Sequence, residues 1–181
     1  MKRNSGIEFV KKTYWRIFKI FRFIVMLPNF IMVRIIAAEC GTHLHVHGFT
    51  RVNSNTYLGD HVGFNGMKII GRGKVCIGNY FHSGEDCILI SENHNYDQGS
   101  RIPYDNTVIE KSIIISDCVW LGSRVTILGG VTIGEGAIIQ AGSVVVNDIP
   151  ALAIAGGNPA RVFKYRDSEH FNTLKQRGCF Y

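Results

Sequence analysis

The sequence predicts an all-β solenoid, a parallel β-helix built from six-residue repeats, with a helix at each end. Aliphatic residues recur at every sixth position, and the stretch from Cys118 to Val146 holds too many glycines for a helix. A period of six fits neither an α-helix nor one long strand. It fits short strands joined by tight corners, three of which close one turn. The first series is Ile109, Ile115, Leu121, Ile127, Ile133, Ile139 and Val145.

A second series lies four residues after the first, and its members are apolar or small. We expect both series to point inward and to stack on the equivalent positions one turn away. Adjacent turns would pair as parallel strands about 4.8 Å apart. The members are Ile113, Val119, Val125, Val131, Ala137, Ser143 and Ile149.

The same period runs upstream through Val46, Val52, Leu58, Phe64 and Ile70, slips by one residue, and resumes at Ile77, Ser83 and Leu89. The corners between strands require small residues or residues that tolerate the left-handed helical conformation. The sequence supplies such residues at regular intervals. They are Gly59, Asp60, Gly78, Asn79, Gly122 and Gly134.

Residues 1–40 form a basic arm. Residues 1–36 hold eight Lys or Arg against Glu8 alone, while the whole chain has a net charge of +6, so the rest of the chain is close to neutral. Because the body is not basic, nucleic-acid binding is disfavoured. The five cysteines are widely spaced, contain no CxxC pair, and are expected to be unpaired thiols.

The arm predicts an amphipathic helix that ends before Pro28, followed by a second apolar segment to about Ala38. Charged residues interrupt every window long enough for a transmembrane span, and no signal-peptide cleavage site follows. Two interpretations stay open: residues 8–27 pack on the body or on a neighbouring subunit, or they lie on an anionic membrane surface. The apolar face is Val10, Tyr14, Ile17, Phe18, Phe21, Ile24 and Val25, opposite Lys11, Lys12, Arg16, Lys19 and Arg22.

The repeat motif [LIV]-[GAED]-x-x-[STAV]-x, which covers roughly residues 46–166, resembles that of the hexapeptide-repeat acyltransferases, which form left-handed β-helices. The segment VWLGSRVTILGGVTIGEGAIIQAGSVVVNDIPALAIAGGNPARVFKYR is similar to the signature of the maltose, galactoside and polysaccharide O-acetyltransferases. This resemblance implies a homotrimer that uses acetyl-CoA, bound in a groove between two subunits. The left-handed coil would span residues 41–166.

The period stops between Leu89 and Ile109, and a polar loop over residues 91–108 takes its place. The loop contains His94, at the position where the resembling family has a catalytic histidine. Acetyl transfer to a hydroxyl needs a group that takes the hydroxyl proton, and an imidazole suits that role at neutral pH. Asp97, Glu92, Asp86 or a backbone carbonyl could orient the ring. Candidate sugar contacts are Asn93, Asn95, Tyr96 and Tyr104.

The resemblance also implies the donor contacts. Small corners would let the pantetheine chain lie against the backbone, and two cations beyond the GGNPA turn would meet the CoA phosphates. At residues 146 and 147 the family often has Thr-Lys, so the Val-Asn pair here weakens a side-chain role. The predicted contacts are Trp120, Gly122, Ser123, Ala141, Val146, Asn147, Arg161 and Lys164.

No metal is expected. The run of His43, His45 and His47 begins the coil, where the side chains are expected to face solvent. His82 and His94 are two hexads apart, which does not match the close histidine pair of zinc carbonic anhydrases of this fold. Residues 167–181 predict a short helix capped by Asp167 or Ser168 and stopped by Gly178.

The sequence therefore predicts an acetyl-CoA-dependent O-acetyltransferase with His94 as general base. Its acceptor would be a sugar hydroxyl of a cell-surface polysaccharide, such as a capsule, O-antigen or exopolysaccharide, or of its precursor. The protein would be cytoplasmic, with a peripheral site on the inner face of the membrane. Two alternatives stay open: an N-acetyltransferase acting on an amino sugar nucleotide, and a non-catalytic β-solenoid scaffold.

Overall fold

The structure, a computed structural model, describes the backbone of residues 5–181 and the side chains from residue 7 onward, except those of residues 19–23 and 25. Helix α1 spans Ser5–Ile36 and helix α2 spans Ser168–Gln176. The strands between them are β1 Glu39–Cys40, β2 His45–Val46, β3 Thr50–Arg51, β4 Thr56–Leu58, β5 Gly63–Ile70, β6 Val75–Ile77, β7 His82–Ile90, β8 Glu92–His94, β9 Val108–Glu110, β10 Ile113–Ile115, β11 Trp120–Leu121, β12 Thr126–Leu128, β13 Thr132–Ile133, β14 Ile138–Ile139, β15 Val144–Val145, β16 Ala153–Gly157 and β17 Ala160–Tyr165.

The strands form three walls of a coil. The first wall stacks β1, β4, β6, β10 and β13, and a bridge from Ile133 to Ile149 adds a sixth level. The other two walls share one sheet because β5 and β7 are long enough to turn a corner. One carries β2, β11, β14 and β16, and the other carries β3, β12 and β15. Neighbouring turns pair in parallel, as the predicted β-helix requires, and the architecture agrees with the left-handed coil of the resembling family.

The turn length confirms the six-residue repeat. Ile115 pairs with Ile133, and Leu121 pairs with Ile139, so the turns of this part of the coil hold three hexads each. Both predicted series are buried from Ile113 to Ile149, and their side chains fill the space between the walls. Ile109 is a correction, because it lies in β9 outside the coil and its side chain is exposed.

The upstream period is wrong at Ile70. The side chain of Ile70 is 44% exposed, and Ile69 is the buried residue, at 1%. The reason lies at Gly66, whose φ of +105° follows a register shift between β5 and β7 at Gly63–Asn65. The bulge interrupts the six-residue period before Ile70, whereas the sequence predicted an interruption after it. In the strand beyond the bulge, the residues that face the core are therefore the ones that the period assigned to the outside.

The corners differ in detail from the prediction. The left-handed residue is the third of each corner, as at His61, Tyr80 and Cys118, and not the predicted glycine. The glycine is needed because stacked corners approach closely. A Cβ atom on Gly122 would lie 2.5 Å from the backbone nitrogen of Ala141, closer than real Cβ contacts come.

Asp60 and Asn79 serve the corners through their side chains. The backbone N–H of Thr42 donates to Asp60 Oδ1 at 2.6 Å, and that of Asp60 donates to Asn79 Oδ1 at 2.8 Å. The next rung is the N–H of Asn79 to Asp117 Oδ1 at 2.7 Å. These hydrogen bonds give partners to backbone N–H groups of the corners, which have none in the neighbouring strands. The hydrogen bond from the backbone N–H of Thr42 lowers the pKa of the Asp60 carboxyl.

Helix α1 does not end before Pro28 as predicted, but continues to Ile36. Proline removes one helical hydrogen bond and crowds the preceding turn, so packing must stabilise the residues beyond it. That end of the helix lies against β2 and β3, with Val33 buried and Phe30 and Ile36 against the core. The side chains predicted at residues 19, 21, 22 and 25 lie outside the described residues.

The C-terminal helix agrees with the prediction. Asp167 caps α2 by accepting from the backbone N–H of His170 at 2.8 Å, and Gly178, with a φ of +65°, follows its end. The five cysteines carry free thiols. In the part of the chain that the structure describes, neither helix is long and apolar enough to cross a membrane.

Two neighbouring isoleucines of β10 test the inward alternation. Ile115 is 2% exposed and Ile114 is 47% exposed. We expect Ile115→Ala to lower the free energy of unfolding by about 2–5 kcal/mol, since it leaves a cavity in the stack. Ile114→Ala is the matched control and should cost less than about 1 kcal/mol. Thermal or urea unfolding of both variants provides the measurement, and equal losses would contradict the assigned register.

Candidate functional site

The loop over residues 91–108 enters at the one large break in the turn length. Ile77 pairs with Ile115, 38 positions later in the chain, whereas Ile115 pairs with Ile133, only 18 positions later. The loop leaves the coil after β7 and returns to it at β10. Its base is a small antiparallel sheet, β8 with β9, in which His94 lies opposite Val108. The coil and this hairpin together fix the position of His94.

The ring of His94 is held by stacking. It lies face to face with the ring of Tyr104, with centroids 3.9 Å apart and an interplanar angle of 10°. Asn93 Oδ1 accepts the backbone N–H of His94 at 2.9 Å. Among the described residues, no side chain or carbonyl hydrogen-bonds to either ring nitrogen. One face of the imidazole is therefore covered, and its nitrogen-bearing edge is open to a ligand.

Asp105 holds the rest of the loop. Its carboxylate accepts the backbone N–H groups of Thr107 at 2.8 Å and Ser100 at 3.0 Å, and the side-chain amide of Asn95 at 3.3 Å. These bonds, the one from Thr107 first, lower the pKa of Asp105 below its ordinary value of 3.8. The sequence analysis missed this residue. An Asp two positions before a Thr in a polar loop is the signal of an Asx turn that could have found it.

The carboxylates predicted to orient His94 have other contacts. Glu92 accepts the backbone N–H of Arg72 at 2.9 Å and pairs with its side chain at 3.6 Å. Asp97 accepts from the side-chain amide of Gln98 at 3.4 Å. Asp86 occupies a left-handed corner position within β7. The described neighbour of the His94 ring is Tyr104.

The predicted sugar contacts share the loop with His94. Tyr104 stacks on the histidine, and Asn93 accepts its backbone N–H, so both belong to the immediate surroundings of the ring. Asn95 is tied to Asp105 and to the carbonyl of Thr107. The side chain of Tyr96 is exposed, while its backbone N–H donates to the carbonyl of His94 at 3.0 Å.

Three of the predicted donor residues, Gly122, Ser123 and Ala141, lie along one edge of the coil, at the corner that follows β11 and β14. Gly122 and Ala141 stack in successive turns, and Ser123 Oγ accepts the backbone N–H of Glu85 at 3.1 Å. A Cβ atom on Gly142 would meet nothing within 4 Å, so the outer side of this column is open. A linear chain could therefore lie against its backbone.

The remaining donor candidates lie on the walls, on another corner and on β17. The side chain of Trp120 projects from β11, between His82 and Ile138 of the adjacent turns, and is about half exposed. Val146 and Asn147 are exposed after β15, on the edge of the coil from which the loop over residues 91–108 leaves. Arg161 and Lys164 are exposed on β17, the antiparallel strand beyond the cis Asn158–Pro159 bond, where Arg161 Nη1 donates to the carbonyl of Ala160.

A groove that the sequence analysis did not predict runs along another edge of the coil. It is an open cavity of about 680 Å³, lined by histidine and aromatic rings and by the C-terminal tail. Rings of successive turns stack: His61 on Tyr80 at 4.8 Å, and Tyr80 on Phe180 at 4.0 Å. The side-chain amide of Asn65 lies 3.3 Å from His82 Nε2. Rings and amides of this kind contact sugars and other polar ligands.

The metal alternative has no support from this groove. His43 stacks on His61, and His45 stacks on His47. In residues 7–18, 24 and 26–181, no group of three His, Cys, Asp or Glu side chains is placed to hold a metal ion.

Comparison with known proteins agrees with the fold and the repeats. Residues 112–147 match the family described as bacterial transferase hexapeptide (six repeats). The protein named "Putative acetyltransferase YJL218W" of Saccharomyces cerevisiae is 35% identical over 125 residues, which cover 68% of this chain and 63% of the relative.

Two solved structures are similar over most of the chain. The hexapeptide-repeat acetyltransferase VCA0836 of Vibrio cholerae has a TM-score of 0.70 at 27% identity, covering 78% of this chain and 82% of its own, and it is also known in complex with acetyl-CoA. A galactoside acetyltransferase in complex with CoA has a TM-score of 0.65 at 27% identity, covering 77% of this chain and 70% of its own.

The fold and the repeats thus define a hexapeptide-repeat solenoid with one extruded loop. The resemblance predicted from the sequence is confirmed, because the family model matches the repeats and the similar structures are hexapeptide-repeat and galactoside acetyltransferases. It spans 63% of the length of the yeast relative.

Asp105 provides a test of how the loop is held. We expect Asp105→Ala to accelerate amide hydrogen exchange at Ser100 and Thr107 by about tenfold or more, because both lose a charged acceptor. Asp97→Ala is the matched control and should leave these two amides unchanged. Since the folded pKa is depressed, the stabilisation is present above the ordinary value and is lost as the pH falls through the folded pKa. Unchanged exchange in Asp105→Ala would contradict the role.

Proposed function

We propose that the protein transfers an acetyl group from acetyl-CoA to a sugar hydroxyl, with His94 as general base. The observation that carries this proposal is the position of His94. It stands at the one long interruption of an otherwise regular coil, with one face covered by Tyr104 and its nitrogen edge open. The similar V. cholerae protein is known with acetyl-CoA and the galactoside acetyltransferase with CoA, which supports the donor and the acceptor class.

The reaction needs no acyl-enzyme and no metal. His94 takes the proton from the acceptor hydroxyl while the oxygen attacks the thioester carbonyl. The tetrahedral intermediate then collapses, the carbon–sulfur bond breaks, and the thiolate of CoA receives the proton from the imidazolium. The products are the acetyl ester and CoA, and His94 returns to its neutral form. A covered ring face and an open edge suit this proton shuttle.

The donor would lie along the open corner column of Gly122, Ser123 and Ala141. Backbone and small side chains leave room there for the pantetheine chain, while Arg161 and Lys164 would bind the phosphates. Trp120 borders the column, whereas Val146 and Asn147 follow β15 on another edge and would reach the donor only where it extends past that wall. The sugar would contact Asn93, Asn95, Tyr96 and Tyr104 around His94.

We further propose that the protein is a homotrimer in which the loop of one copy faces the donor column and the groove of the next. His94 lies on a different edge of the coil from the donor column and from the groove lined by His82, so a neighbouring copy would bring a loop together with a column and a groove. Aromatic rings suit the apolar faces of sugar rings. A cell-surface polysaccharide or its precursor, acetylated in the cytoplasm, is the acceptor class we favour.

His94→Ala tests the chemical role. We expect kcat/KM to fall by about 10²–10⁴-fold in assays with acetyl-CoA and a panel of sugars, since the attacking hydroxyl loses its base. His170→Ala, on the exposed face of α2, is the control and should retain the parental rate. Mass spectrometry identifies the product. A mild loss with an amino sugar acceptor would instead favour N-acetylation, and an unchanged rate would contradict the role of His94.

Two alanines provide a test of the donor column. Ala141 stacks beneath Gly122, and Ala151 stacks in the same way beneath Gly134 on another edge; both are exposed. Ala141→Trp should weaken CoA binding at least about tenfold in calorimetry, because the indole would cover the column. Ala151→Trp should bind CoA like the parent. Failure of the parent protein to bind CoA at all would favour the scaffold alternative.

A further inference from the structure

The two ends of helix α1 differ in their surroundings. At the C-terminal end, Val33 is buried against the coil, with Phe30 and Ile36 beside it. At the other end, every described side chain from residue 7 to residue 18 is exposed. Large apolar side chains are exposed to solvent there, with Phe9 71% exposed and Trp15 56% exposed. The chain itself covers one end of the helix and leaves an apolar surface at the other.

The exposed apolar groups are arranged as a strip. At 100° per residue, Ile7, Val10, Tyr14, Ile17 and Phe18 fall within an arc of about 100°. The rings of Tyr14, Trp15 and Phe18 contact one another, with centroids 5.7–6.2 Å apart. A contiguous exposed patch of this kind marks a surface that binds something apolar.

The charges beside the strip identify its occupant. Residues 7–18 carry Lys11, Lys12 and Arg16 against Glu8. Among the described residues, the ion pairs are Arg72–Glu92 and Lys175–Glu135, so these three cations have no carboxylate partner. An apolar strip flanked by unpaired cations complements an anionic bilayer, where acyl chains accept the apolar groups and headgroups accept the cations.

Packing against a second copy of the chain fits these observations less well. A helical bundle would bury the strip, but Phe9 and Trp15 project outside it and would stay in water. A bundle would also bring together several cationic helices with few acidic partners. At a bilayer surface, by contrast, aromatic rings outside the strip lie at the headgroup level, where such rings are favoured.

We infer that residues 7–18 dock the protein on anionic lipid bilayers, with the strip inserted at the surface and Lys11, Lys12 and Arg16 at the headgroups. The contact is peripheral, because the helix lies on the membrane and does not cross it. If the protein acts on sugars as proposed above, docking holds it next to lipid-linked acceptors. The docking itself does not depend on that activity.

Vesicle flotation of the full chain tests this inference. One vesicle is phosphatidylcholine alone, and the other is phosphatidylcholine mixed with phosphatidylglycerol. We expect the protein to float with the mixed vesicles, at least about tenfold more than with the neutral ones, and to be released by salt. Tyr14→Ser/Trp15→Ser/Phe18→Ser should abolish flotation. Lys11→Gln/Lys12→Gln/Arg16→Gln should remove the preference for anionic lipid.

Matched variants on the coil serve as controls. Phe49→Ser removes an exposed aromatic group, and Arg51→Gln/Lys68→Gln removes two exposed cations, so both should float like the parent. Light scattering and circular dichroism follow assembly and folding. Equal flotation with both vesicles, or none, would overturn the inference. Absence of flotation together with a smaller assembly in the aromatic variant would assign the strip to contacts between copies. Acetyl transfer to a soluble sugar is a separate readout.

Discussion

The structure depends on one constraint, the stacking of inward aliphatic side chains on the equivalent side chains of the next turn, which lie 18 residues away in the regular turns. Ile115 rests on Ile133, and Leu121 rests on Ile139, in exact continuation of the parallel strand pairing. Stacking keeps the paired positions of neighbouring turns in line. A small change in turn length must therefore be absorbed in a local irregularity, and a long insertion must leave the coil, since the core has no space for it.

The chain uses both solutions. At the bulge beside Gly66 the turn shortens by one residue, since His45 pairs with Gly63 18 positions later but Thr50 pairs with Met67 only 17 positions later. The bulge reverses the alternation of the strand that follows, so Ile69 replaces Ile70 in the core. The loop over residues 91–108 expels a large excess. Because it leaves the coil, the loop is not stabilised by the core, but by its own contacts, namely the hydrogen bonds to Asp105 and the stacking of Tyr104 on His94. This separation lets the residues of the loop vary without disturbing the coil.

Much of the fold could be predicted because aliphatic residues recur at every sixth position of the sequence. Both inward series from Ile113 to Ile149 are buried as expected. The predictions that were wrong are those in which a tertiary contact overrides a local conformational preference. Pro28 does not end α1, since the residues after it pack on the coil. The corner glycines are required because stacked corners approach closely, and not because their own φ is positive. His94 could be found because the period breaks beside it. The groove around Asn65, His82 and Phe180 could not, because its residues come from separate turns and from the C-terminal tail.

The most direct measurement concerns the cleft between copies. If the protein is the proposed trimer, His94→Ala and Ala141→Trp chains should each form trimers of strongly reduced activity at limiting acetyl-CoA, the first lacking the base and the second binding the donor weakly. Unfolded and refolded together, they form mixed trimers in which some clefts combine an intact loop from one chain with an intact column from its neighbour. If neighbouring copies share the site, about a quarter of the parental activity should return on statistical mixing. If no activity returns although the mixed trimers form, both halves of the site lie within one chain, and the shared cleft is contradicted.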